Sequence, residues 1–183
     1  MGLAHEELLR IATGGKLLRS RLVHGAAGTP SPDNQAATMF GAAVNLLHGA
    51  FFIHDDVVDS DEIRRGEKTF AHSLTSAANS AHLGQSLAVL AGDLAIAEAI
   101  DLLNDPDVSP QLRAPATRIV IDAITESVHG EIADVAFRTT GSPHTIDDAR
   151  ADTPHDTWRI FIWANYVVGA VVCVTLVWVF AKG

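Results

Sequence analysis

The sequence predicts an all-α protein that closes with an apolar helix near its C-terminus. Apolar residues recur at intervals of three and four as far as about residue 140, glycine and proline clusters divide these stretches, and no strand-like alternation persists. With 183 residues, 48% of them hydrophobic, the chain is one domain by length and can close a core of ordinary size.

Residues 3–27 have helical spacing, interrupted by Gly14-Gly15. Gly28-Thr29-Pro30-Ser31-Pro32-Asp33 then reads as a loop ending in a helix cap. From Gln35 to about Asp59 the residues Met39, Phe40, Ala43, Leu46, Leu47, Ala50 and Phe51 form one buried helical face, with a polar cluster at its end. Residues 60–72, charged and containing Gly66, read as a connecting loop. A second apolar helix is predicted from Leu83 to Leu103 and is stopped by Asn104-Asp105-Pro106-Asp107. A third runs from about Pro110 to Thr139, with Pro115 near its start, and ends at Gly141-Ser142-Pro143.

Composition divides the chain into a helical region over 1–150, a linker over 151–159 and an apolar helix over 160–180. Ile160 to Phe180 is a run of 21 residues without a charge, flanked by Arg159 and Lys182 and carrying Trp163, Tyr166 and Trp178. Its length and aromatic ends suit a membrane span, and a buried core helix is the alternative. The charged residues Glu6, Glu7 and Arg10 break up the start where a signal peptide needs an apolar run, and Cys173 has no internal disulfide partner. The expectation is a cytoplasmic helical region, with the C-terminal segment as its membrane anchor if that segment spans.

The net charge of −9 and pI near 5.3 argue against nucleic-acid binding, which needs a basic face. They do not argue against a small phosphorylated ligand, because magnesium can bridge carboxylates to phosphates. His54-Asp55-Asp56-Val57-Val58-Asp59 is the central constellation. On a helix Asp55 and Asp59 share a face, and His48 lies on nearly the same stripe. Two neighbouring carboxylates repel each other, a cost that makes sense around a hard cation such as magnesium. An isolated run of this kind is also what a solvated acidic helix end looks like. The neighbours shift the balance: Arg64-Arg65-Gly66 sets two guanidinium groups close behind, suited to phosphate. Upstream, Gly14-Gly15-Lys16-Leu17-Leu18-Arg19 places Lys16 and Arg19 three apart beside a glycine pair.

Together these residues resemble the polyprenyl synthetase family of trans-isoprenyl diphosphate synthases. The resemblance rests on Gly15 to Arg19, Leu46-Leu47-His48, the block from His54 to Thr69, Ala91-Gly92-Asp93-Leu94 and Gly130-Glu131-Ile132-Ala133-Asp134, in the family's order and at about its spacing. It implies an isoprenoid synthase-type antiparallel helical bundle, of which residues 1–150 would be the N-terminal part. It also implies Mg2+ held by Asp55 and Asp59 on an allylic diphosphate, with Asp56 completing the motif and Arg64 contacting that diphosphate. Lys16, Arg19, His48 and Arg65 match the positions that hold isopentenyl diphosphate, and Asp93 fits a helix-packing signature. The chemistry implied is ionisation of the allylic C–O bond, attack by the isopentenyl double bond and loss of a proton. The face carrying Phe51 and Phe52 would shield the carbocation, and Phe51, four residues before Asp55, would limit products to about C15–C20. A homodimer, or a heteromer with another synthase subunit, is the expected assembly. Terpene cyclases also use an aspartate-rich helix but do not need the site at Gly15 to Arg19.

The sequence departs from the family beyond Arg150. The second aspartate-rich motif has no counterpart, and Asp156 stands where a diphosphate-binding lysine is expected. The apolar tail is therefore read either as an anchor or as the mark of a truncated, frame-shifted or recombined reading frame. The alternative to an active prenyltransferase is a non-catalytic remnant or a membrane-tethered partner of a full-length synthase.

Overall fold

A computed structural model describes Glu6, residues 8–10, 13–14, 17–28 and 35–140, with the side chains of 133, 134 and 137–140 excepted. Its elements are α1 (Leu18–Ala26), α2 (Gln35–Val58), β1 (Ile63–Arg64), β2 (Glu67–Lys68), α3 (Phe70–Ala78), α4 (Ala81–Leu103) and α5 (Pro110–Thr140). The helix predicted from Gln35 ends one residue short of expectation, and those predicted from Leu83 and Pro110 differ by no more than two residues at either end. The predicted apolar helix over 160–180, Asp156 and Lys16 all lie outside the described residues.

The predicted loop over 60–72 is the main correction. It contains an antiparallel hairpin, in which Ile63 pairs with Lys68 and Arg64 with Glu67, followed by the first residues of α3. Strands of two residues are too short to show the alternation by which a strand is read from sequence. Thr69 joins hairpin to helix: its hydroxyl donates to the Asp61 carbonyl at 2.8 Å and accepts from the His72 backbone N–H at 3.3 Å, capping α3. Ser80 caps α4 in the same way, accepting from the N–H of Leu83.

Helix α2 is the centre of the packing. It is long and apolar enough to cross a membrane, at a mean hydropathy of 1.5, but half of that window is buried within the protein, as in a core helix. Near its start, Phe40, Val44 and Leu47 pack with Val23 of α1, Ala99 and Leu103 of α4 and Val120 of α5. Nearer its end, Ala50 and Ile53 pack with Phe70 and Leu74 of α3 and Ala88 and Ala95 of α4. Low residue numbers of α2 thus meet high numbers of α4, so the two helices run antiparallel. Alanines on α4 let the backbones approach, and the larger residues of α2 fill the space between them. Arg10 forms an ion pair with Glu67 of the hairpin at 2.7 Å, bringing the N-terminal stretch over the turn.

Candidate functional site

The aspartates predicted to act together lie at the C-terminal end of α2, where the helix dipole disfavours negative charge. Helical register continues through them: the Asp59 N–H donates to the Asp55 carbonyl at 2.8 Å, keeping these two residues one turn apart. Compensation comes from the hairpin. Arg64 donates from Nη2 to Asp55 at 2.6 Å and from Nε to Asp56 at 2.5 Å, and its Nη2 lies 3.5 Å from an Asp61 carboxylate oxygen. Burial works against the Arg64 charge, but the Asp56 and Asp55 carboxylates outweigh it and hold the guanidinium pKa above its ordinary value.

Asp56 differs from its two neighbours. Its side chain is only 6% exposed and its known partner is the Arg64 guanidinium, so it faces inward from the mouth of the site. Burial pushes its pKa up, more than the bond and charge of Arg64 pull it down. Asp55 and Asp59, one turn apart, are the pair expected from the sequence to hold a metal, and Asp55 is ion-paired to Arg64 here. Among the described residues no group of three or more His, Cys, Asp or Glu side chains is gathered for one. Two carboxylates nevertheless fit magnesium, which takes few protein ligands and completes its octahedron with water and phosphate oxygens.

A second group forms around His48. Arg19 from α1 and Arg64 and Arg65 from the hairpin all act on this imidazole; burial first, then Arg19, Arg65 and Arg64, push its pKa down to about 4. His48 is therefore neutral at physiological pH, surrounded by three permanent cations. The fold thus brings together His48, Arg19 and Arg65, three of the four residues predicted to hold one diphosphate. The ring of Phe52 lies among them, its centroid 4.0 Å from that of His48 and beneath the Arg64 and Arg65 guanidinium carbons at 5.1 and 5.9 Å. Phe51 and Phe52, read together from sequence as one apolar shield, face different surroundings because successive helical residues differ by about 100° in direction.

Phe51 instead lines a cavity of about 290 Å³ between α2, α4 and α5, together with Val58, Val89, Val128 and Ile132. Asp55 stands in its wall, so the acidic C-terminal end of α2 opens onto apolar space. Asp93, expected in helix packing, is 63% exposed, lines this cavity and lies 3.5 Å from Nε2 of His54. The close packing is made by its neighbour Gly92, where a Cβ would overlap the His54 ring. Sequence reading missed His54 and Ser127 as wall residues; Ser127 is three residues before Gly130 and carries no motif signal.

Fold and site define an all-α bundle in which arginines gather about His48 and one of them, Arg64, is paired with Asp55, a residue that lines an apolar cavity. The polyprenyl synthetase family model matches residues 4–161. The chain belongs to the polyprenyl synthetase family. It is 31% identical over 132 residues to a geranylgeranyl pyrophosphate synthase of Geoglobus acetivorans, covering 72% of this chain and 39% of that protein. It is 35% identical over 125 residues to a (2E,6E)-farnesyl diphosphate synthase of Mycobacterium tuberculosis, covering 68% and 32% respectively. Among solved structures, an FPP/GFPP synthase from Zymomonas mobilis superposes with a TM-score of 0.75 at 24% identity, covering 98% of this chain and 60% of the other, which bears on the fold alone. The geranylgeranyl pyrophosphate synthetase from Geoglobus acetivorans gives 0.66 at 25% identity, over 98% and 55%. The chain spans between about a third and two fifths of the length of the curated relatives it matches.

Proposed function

We propose that this chain carries the first aspartate-rich wall of a trans-prenyltransferase that condenses isopentenyl diphosphate with an allylic diphosphate. The observation that carries the proposal is the convergence of Arg19, Arg64 and Arg65 on His48, with Arg64 also paired to Asp55, a residue that lines an apolar cavity. Charged groups there suit a diphosphate, and the cavity suits a hydrocarbon tail. Names of relatives, among them geranylgeranyl and farnesyl diphosphate synthases, support the same reading.

In this reading Asp55 and Asp59 hold Mg2+, which when bound neutralises charge on the departing diphosphate. Arg64 binds the allylic diphosphate, and exchanging its carboxylate partners for phosphate oxygens leaves Asp55 free to coordinate. Arg19, His48 and Arg65, with Lys16, hold the second diphosphate so that its double bond faces the allylic carbon. The allylic C–O bond breaks, the new C–C bond forms, and a proton is lost from the condensed product. Phe51 and the valines of the cavity keep water from the cation and limit the tail to medium length. Family membership favours a cytoplasmic setting for the helical region, working as a homodimer or with a second synthase subunit.

The test is an assay of purified protein with labelled isopentenyl diphosphate, an allylic diphosphate and Mg2+. Formation of a product five carbons longer supports the proposal, and no turnover with any allylic chain length rejects it for this chain. Phe51→Ala should lengthen the product, and an unchanged product would remove Phe51 as the floor of the tail pocket.

A further inference from the structure

Phe52 has no diphosphate-binding chemistry of its own, yet it touches each set of groups that the proposed function assigns to a diphosphate. Its ring packs on His48 one helical turn earlier, with the rings inclined at 54°. Arg64 lies over it at 5.1 Å and Arg65 at 5.9 Å, both within the range of a cation–π contact. Arg64 is also held by Asp55 and Asp56. Arg65 is exposed and, among the described residues, forms no ion pair, while its guanidinium lies over the Phe52 ring. Two adjacent arginines repel, and a flexible side chain ordered only on ligand binding would lose rotamer freedom at that moment. A shared aromatic ring counters both effects, because each cation is attracted to it. Leucine would fill comparable space but offers no π face.

We propose that Phe52 is a positioning residue: its ring fixes Arg64 and Arg65 at a set separation and thereby spaces the two diphosphate subsites. The inference rests on the functional reading above. Phe52→Leu, which keeps apolar bulk, and Phe52→Trp, which restores the π face, test it by two measurements on the whole chain. The first is the NMR shift of the Arg64 and Arg65 Nε–H protons, which the ring displaces upfield whether or not any ligand binds. Both protons should return toward their ordinary positions in Phe52→Leu and move upfield again in Phe52→Trp. The second is calorimetric titration with inorganic pyrophosphate in the presence of Mg2+. Affinity should fall about fivefold in Phe52→Leu, at an unchanged unfolding midpoint, and return to within about twofold of the parent in Phe52→Trp. Unshifted arginine protons in Phe52→Leu overturn the platform. Displaced protons with unchanged affinity overturn the positioning role. A parent that shows the ring shift but binds no pyrophosphate rejects the functional reading, and the positioning role with it, while leaving the ring contact established.

Discussion

Arg65 and Gly66 are the two central residues of the hairpin turn, and both have positive φ, 55° and 86°. A two-residue turn of this kind suits glycine at the second position and asparagine at the first; arginine there costs roughly 1 kcal/mol. Arg65→Asn should therefore stabilise the fold by about 0.5–1 kcal/mol in urea unfolding while weakening pyrophosphate binding. A destabilised variant would show that the turn is not strained. His48 allows a second expectation. Its pKa of about 4 in the folded chain compares with 6.5 for the free side chain, so the unfolded chain binds more protons between these values. The stabilisation is complete above pH 6.5 and is lost as pH falls toward 4, by at most about 3 kcal/mol. His48→Gln should flatten this part of the stability–pH curve; a slope equal to the parent's would mean that the imidazole is not held neutral. The arginines and aspartates were legible at this scale because their spacing is a motif. The inward-facing role of Asp56 was not, because its burial depends on how the hairpin folds over α2.

At the scale of elements, two contacts fix α3 between the hairpin and α4. Thr69→Ala removes both the cap of α3 and the bond to Asp61, and should cost about 1–2 kcal/mol by thermal unfolding, with a matching loss of hairpin order. A loss within a few tenths would show that water replaces the cap. Gly84 on α4 meets α3 so closely that a Cβ would sit 2.7 Å from the Ala71 carbonyl oxygen and the Thr75 nitrogen. These are backbone atoms, so Gly84→Ala should cost roughly 1–3 kcal/mol despite its gain in helix propensity, and a neutral result would show that α3 can shift away. The boundaries of α2, α4 and α5 were readable because long helices declare themselves by periodicity and breakers. The hairpin and α3 were not: two-residue strands and a nine-residue helix give a weak periodic signal, and pairing with each other is what forms them.

Across the whole molecule, the antiparallel course of α2 and α4 sets the distance between acidic groups and cavity wall. If the site takes a diphosphate with Mg2+, the two together should raise the unfolding temperature more than either alone; at a hundredfold excess over Kd the gain is about 2.7 kcal/mol, reversed by a chelator. Equal effects with and without the metal would argue against Asp55 and Asp59 as its ligands. Sequence alone determined the all-α class, the three long helices, the family and the pairing of an acidic motif with arginines, because each is written in local spacing. The aspartate-rich segment was its firmest feature. Only the tertiary structure decided what each of those residues faces: Asp56 inward onto Arg64, Asp55 toward the cavity, Phe51 into it, and Phe52 beneath two guanidinium groups. The physical reason is that a helix fixes the direction of each side chain, but its partners belong to segments whose approach is set by packing far along the chain.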